Sequence, residues 1–368
     1  MKFRESRRQL FKKGFLGGTV LLADNASAQT AATPPNAPEQ LLQNMIGGSR
    51  LTQLVYVAAK LRIADHLKDG SKSLAELATA TKTHDDSLYR LLRTLASMGI
   101  FVEEDGRRFR LNPAGDLLQS GVPGSLRVTA EVAGEDWMWK PWGALLHSVQ
   151  TGQTAFDHLY GKGTFDWFGE NPAAARLFDE FQSETTLRTT VAVVEAADVK
   201  GARQIVDVGG GAGLLLTEIL RNNPESRGVL FDLAHVITAA KKKLDPNLAR
   251  RTELVPGDFF KSIPSGGDIY IMKAILHDWD DARAIKILES CRKAMAGKGK
   301  LMVIEELVCQ PNEACRAKLG DVMMLVRTGG RNRTEAEYKD LLSKGGFTLT
   351  KIVPTRPGMQ IMEATPKA

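Results

Sequence analysis

Of six histidines in the chain (His66, His84, His147, His158, His235 and His277), one stands where proton transfer would be useful. His277 follows an apolar run, 268–272, that reads as a strand. Open α/β sheets gather their reacting groups at strand C-termini. Glu305 closes a second such run, 300–304, and a regular strand would turn its neighbour Glu306 to the opposite face. A different feature lies upstream. Residues 204–208 read as a short strand and 214–221 as a helix, and between them stand Gly209, Gly211 and Gly213, preceded by Asp207. Glycines in a strand-to-helix turn let the backbone approach a ligand closely. A dinucleotide fingerprint would need its third glycine at position 214, which is Leu214. Asp232 ends the next strand, about 20 residues on, where a carboxylate can accept two ribose hydroxyls. A simple helix cap is the plainer use of that residue.

Positioning these groups requires alternating strands and helices. Beyond Gly201, strands are predicted at 204–208, 227–232, 252–255, 268–272 and 300–304, and helices at 214–221, 235–243, 281–294 and 334–345. An extended pair at 347–353 and 359–364 closes the chain. The pattern predicts an α/β fold, a Rossmann-like doubly wound and mostly parallel sheet over residues 201–368. Residues 40–120 read as a mostly α winged helix. Ser73 and Glu76 form a capping box, Asp85 and Asp86 cap the next helix, and Leu88, Leu91, Leu92, Leu95 and Met98 make its apolar stripe. Gly99 ends that helix, and a hairpin turns at Asp105-Gly106. Residues 121–200 read as a helical connector rich in aromatics, with Trp137, Phe168, Met323 and Met324 as candidate pocket walls.

Charge narrows the partners. The net +6 comes largely from residues 1–28, which take six of 49 basic and two of 43 acidic residues and leave 43 against 41. A nearly balanced body implies no polyanion partner. Those 28 residues resemble a twin-arginine export signal: Ser6-Arg7-Arg8-Gln9-Leu10-Phe11-Lys12, an apolar stretch from Gly14 to Ala23, and Ala26-Ser27-Ala28 for a signal peptidase. Export to the periplasm is the expectation, with residues 29–39 as a linker. No apolar run reaches the roughly 18 residues of a spanning helix. Cys291, Cys309 and Cys315 carry no metal-ligand spacing and are expected to be idle or buried thiols, although 309 and 315 would pair if their loop turned back.

From about Leu41 onward the chain resembles the caffeate and acetylserotonin type of small-molecule O-methyltransferase. The segments that carry the resemblance are Val206-Asp207-Val208-Gly209-Gly210-Gly211-Ala212-Gly213, Phe231-Asp232-Leu233, Gly257-Asp258-Phe259-Phe260, Lys273-Ala274-Ile275-Leu276-His277-Asp278-Trp279-Asp280-Asp281, Val303-Ile304-Glu305 and Gly329-Gly330-Arg331-Asn332-Arg333-Thr334. The resemblance implies S-adenosyl-L-methionine as cofactor and no metal. In it Asp207, Gly209, Gly211 and Gly213 form the cradle, with Gly209 against the methionine portion and Asp232 on the ribose. Asp258 and Phe259 would flank the adenine, Phe259 standing where the family often has Met, and Lys273 would also reach the cofactor. His277 becomes the general base and Glu305 the acid that steers it. Asn332 occupies the place of a second acid, and asparagine can hydrogen-bond an imidazole without stabilising its cation by charge.

The implied reaction is methylation of a hydroxyl on a small aromatic or polyketide-like molecule, by a homodimer joined through the winged helix. Two other readings are weighed beside it. A few relatives of the family keep the cofactor but perform hydroxylation or decarboxylation. A winged helix can also bind DNA, in which case Arg90, Arg93, Arg107, Arg108 and Arg110 would make the contacts.

Overall fold

Seven strands form the sheet that carries the site: β1 Gln204–Val208, β2 Arg227–Asp232, β3 Thr252–Pro256, β4 Ile269–Lys273, β5 Lys300–Glu306, β6 Phe347–Pro354 and β7 Met359–Pro366. The computed structural model describes residues 37–355 and 358–367, so the basic leader lies outside the described residues. Strand order is β3-β2-β1-β4-β5-β7-β6. Strands β1 to β5 pair in parallel, and β7 runs antiparallel to both β5 and β6. The chain reverses its direction of travel across the sheet between β1 and β4. Such a switch point opens a crevice at the strand C-termini.

The inner strands β2, β1, β4, β5 and β7 read as apolar runs because both faces are covered, whereas the edge strands β3 and β6 are largely uncovered. On one face Val206, Val208, Tyr270 and Met272 pack against Ile287 and Leu288 of helix Asp281–Met295 and Leu341 and Leu342 of helix Glu335–Lys344. On the other, Ile205, Ile271 and Ile304 pack against Leu215, Leu216 and Ile219 of helix Leu214–Asn222. Each strand therefore ends at a fixed height, and so do the side chains that follow it.

The first helix, Ala37–Lys60, begins inside the segment read as linker. Ser73 and Glu76 form the expected capping box of helix Leu74–Thr81. The cap of Asp85–Ser97 differs from expectation: His84, not Asp85 or Asp86, is the N-cap, its ring accepting from Ser87 N at 3.4 Å. The two aspartates instead occupy the first turn, where they favour the helix dipole. The hairpin Val102–Glu104 and Arg108–Arg110 turns through Gly106 and Arg107, both at positive φ, and Lys72–Ser73 adds a third short strand. Arginines of this wing are engaged locally. Arg107 and Arg93 lie over Tyr89, Arg108 donates to Ser71 O, and Arg110 pairs with Glu104 at 2.8 Å.

Two further features depart from the sequence reading. Residues Arg316–Arg327 form a helix that periodicity did not reveal. Cys309 and Cys315 are joined in a disulfide across the loop between β5 and that helix, with Cα atoms 6.3 Å apart, so neither is an idle thiol; Cys291 is free and buried as expected. Among the described residues, no helix is long and apolar enough to cross a membrane, and no cluster of potential ligands could hold a metal ion.

Candidate active site

The glycine turn after β1 is built for close approach. Gly209, Gly211 and Gly213 have φ of 70°, 60° and 74°, a region that L side chains adopt only with strain. A Cβ on Gly209 would lie 2.4 Å from Ile275 Cδ1 and 3.9 Å from Phe259 Cε1, which puts the turn, Ile275 and Phe259 around one space. A Cβ on Gly211 would meet nothing within 4 Å, so that residue faces open room. Asp232, at the end of β2, accepts from Gly211 N at 2.8 Å and from Leu233 N at 2.7 Å. Asp258, after β3, accepts from Phe260 N at 2.9 Å through one oxygen. Its other oxygen lies 3.7 Å from Lys261 Nζ. Phe259 stands edge-on to Phe260 and to Trp279.

Charges under this turn are strongly perturbed. Asp207 is 2% exposed and its Oδ2 has no hydrogen-bond partner. Burial, with the like charge of Asp232 added, pushes its carboxyl up to about 7. Burial likewise raises Asp232, against the backbone N–H groups that favour its anion. Lys273, at the end of β4, donates to Thr186 Oγ1 at 3.3 Å, and burial lowers its ammonium against the pull of Glu305 and Asp207. An open turn, an orphaned buried carboxylate oxygen and a second carboxylate with free lone pairs are donor and acceptor groups suited to a nucleoside carrying positive charge. S-adenosylmethionine fits these residues, and Asp207, the three glycines, Asp232, Asp258, Phe259 and Lys273 would hold it.

His277 lies across the switch point, in a 3₁₀ turn (Leu276–Asp278) that follows β4. Its Nδ1 is 2.8 Å from Glu305 Oε2, at the end of β5. Glu305 is fully buried, and its Oε1 accepts the backbone N–H groups of Ile275 at 3.1 Å and His277 at 3.3 Å. One carboxylate thus holds the turn through Oε1 and faces the ring through Oε2. Glu306 points away, 3.7 Å from Arg316, as strand alternation predicts. Burial alone would lower the imidazole, but Glu305 and then Asp278, whose Oδ1 is 3.8 Å from Nε2, lift it to about 9.

Asn332 is placed differently from the expectation. Its Nδ2 donates to Ala317 O at 2.9 Å and its backbone N–H to Asp321 at 2.9 Å, so the amide braces helix Arg316–Arg327 rather than His277. The group that holds the His277 turn is a residue the sequence reading left unassigned. Arg333 is 1% exposed and donates to Leu276 O, Trp279 O, Arg331 O and Asp281 Oδ1. Arg331 N adds a bond to His277 O at 2.9 Å. Asp278 was also missed: only the 3₁₀ turn brings it beside the ring. Among the candidate walls, Trp137, Phe168 and Met324 are buried, and Trp137 and Phe168 meet edge-on at 5.2 Å.

Comparison with known proteins places this geometry. A profile described as the O-methyltransferase domain matches residues 142–348, and one described as the O-methyltransferase dimerisation domain matches 43–121. The phenazine O-methyltransferase PhzM of Lysobacter antibioticus is 43% identical over 89% of this chain and 96% of its own. The 3-amino-4-hydroxybenzoate 4-O-methyltransferase of Streptomyces cremeus is 38% identical over 92% of each. A crystal structure of NcsB1, an O-methyltransferase from neocarzinostatin biosynthesis, holds S-adenosylmethionine and 2-hydroxy-5-methyl naphthoic acid. It matches 86% of this chain and 96% of its own with a TM-score of 0.77 at 32% identity. With its crossover sheet, glycine cradle and dimerisation module, the chain belongs to the S-adenosylmethionine-dependent O-methyltransferases.

Proposed function

We propose that the protein methylates a hydroxyl of an aromatic or polyketide-like small molecule, with His277 as general base and the homodimer as the working unit. The observation that carries this reading is the 2.8 Å contact between His277 Nδ1 and the fully buried Glu305. With Nδ1 facing the carboxylate, Nε2 is the atom left to take a proton. Bound S-adenosylmethionine would supply an electrophilic methyl group. The protein's task is to relieve the acceptor of its proton. A phenol near pKa 10 and an imidazole near 6.5 differ by about 3.5 units, roughly 5 kcal/mol uphill. An imidazole lifted to about 9 narrows that gap to about one unit, roughly 1.4 kcal/mol. An aromatic ring nitrogen has a free lone pair and no proton to lose, so the pair favours a hydroxyl acceptor.

Formation of S-adenosylhomocysteine from hydroxylated aromatics is the direct assay. Replacing His277 by Ala is expected to lower turnover by about 10²–10⁴-fold, the contribution of a typical positioned base, while S-adenosylmethionine still binds. Undiminished turnover in that variant would refute the assignment.

Export through the twin-arginine-like leader belongs to the same proposal. The Cys309–Cys315 disulfide favours it, since such bonds persist in oxidising compartments and are rare in reducing ones.

A further inference from the structure

Helix Arg316–Arg327 ends on a guanidinium that the protein leaves unsatisfied. Arg327 is 3% exposed, and its Nε and Nη2 are buried without a hydrogen-bond partner. Burying a charge in that state is costly unless something else completes it. Asp278 attracts Arg327, but Asp278 also lies 3.8 Å from His277 Nε2, so two cations share one carboxylate. The guanidinium carbon sits 5.1 Å over the ring of Phe178. Phe178 stacks on Phe168 at 4.9 Å and meets Trp137 edge-on at 6.3 Å. The indole Nε1 of Trp137, itself 3% exposed, is also buried without an acceptor. Around one aromatic floor, the protein presents unsatisfied donors, and the carboxylate that attracts Arg327 is shared with His277.

We infer that the methyl acceptor is an aromatic hydroxy acid, whose carboxylate is held by Arg327, with the Trp137 indole N–H as an additional donor, while its hydroxyl faces His277. The identification rests on the methyl-transfer reading above and adds the charge of the substrate to it. A planar guanidinium is matched to a carboxylate by its paired donors, and the aromatic floor is matched to a flat ring.

The test compares a set of hydroxynaphthoates with their own carboxamides, which keep shape but lose charge. Dissociation constants are measured by calorimetry on protein loaded with S-adenosylhomocysteine. The wild-type protein is expected to prefer the carboxylate of the best pair by about 10- to 100-fold, the range of a charge-assisted hydrogen bond. Arg327→Gln should bring that ratio close to one, and Arg327→Lys should keep part of it. Retained S-adenosylhomocysteine binding shows that each variant has folded. If Arg327→Gln does not fold, the wild-type ratio and the Lys variant decide. A wild-type ratio near one, or a ratio that Gln leaves intact, overturns the inference and leaves Arg327 as a counter-ion for Asp278. The two proposals fail separately. Methylation of neutral phenols without preference for acids sinks this one alone. Arg327-dependent binding of acids without any S-adenosylhomocysteine formation sinks the methyl-transfer reading alone.

Discussion

Glu305→Gln is the most informative perturbation of this site. Glutamine keeps the shape and one carbonyl oxygen, so the backbone N–H groups of Ile275 and His277 keep an acceptor, but the charge beside Nδ1 is gone. With Glu305 neutral, burial and Lys273 lower the ring against Asp278, and the imidazole should fall from about 9 toward its ordinary value near 6.5. That is a shift of up to about 2.5 units, or roughly 3.4 kcal/mol. An NMR titration of labelled histidine in the cofactor-free protein reads it directly. The pH–rate profile reads it a second time. In the wild type, two units below its midpoint, about 1% of His277 is neutral at pH 7, so kcat/KM should climb nearly tenfold per unit toward pH 9. The Gln variant should level off near neutrality at a lower plateau, because its base is weaker. Stability supplies a third readout. A folded-state pKa raised above the unfolded one stabilises fully below about pH 6.5 and is lost as pH rises through about 9, so wild-type unfolding free energy should drop across that window by up to about 3 kcal/mol more than the variant's. A ring that still titrates near 9 in the Gln variant, or near 6.5 in the wild type, would refute the coupling.

Gly330 offers a test from behind the base. A Cβ there would stand 2.0 Å from His277 O and 2.4 Å from Asp278 C, both backbone, so Gly330→Ala must push the base's turn aside. A thermal melt should show about 1–3 kcal/mol of destabilisation, and kcat should fall on the order of 10²-fold with S-adenosylmethionine affinity retained; wild-type turnover would mean that the turn's position is immaterial. For the leader and the disulfide, intact-mass measurement on protein from its native host should find residues 1–28 removed and the Cys309–Cys315 pair oxidised; a full-length, reduced chain would contradict export.

The sheet was legible because its inner strands are buried on both faces and stand out as apolar runs; the predicted ends of its strands fall within about two residues of those observed. The cradle was legible because glycine is required where φ is positive, at 209, 211 and 213. Helix Arg316–Arg327 was not. It carries Gly320 mid-helix, where a Cβ would press on Asn332 Nδ2 at 2.6 Å, so a packing need overrode helix propensity and blurred the pattern. The absent Cβ leaves room for the Asn332 amide to reach Ala317 O. Arg333 and Arg327 escaped notice because their partners lie about 50 residues distant or more along the chain, at Leu276, Asp278 and Phe178, and no local period reports such pairs. The disulfide escaped because a spacing of six says nothing about whether the loop turns back.

Arg333 has a consequence for how such a protein can change. It anchors the carbonyls of Leu276 and Trp279, Arg331 N–H holds the carbonyl of His277, and Glu305 anchors the N–H groups of Ile275 and His277, so the turn that carries His277 is secured by the sheet and by the short segment Arg331 to Arg333. The aromatic floor that would receive the acceptor comes from other segments, Trp137, Phe168 and Phe178. The aromatic floor and the turn that carries His277 are therefore written in largely separate stretches of sequence, which meet where Arg327 and His277 both approach Asp278. New acceptors could be explored by rebuilding Trp137, Phe168 and Phe178 while the turn around His277 stays in place.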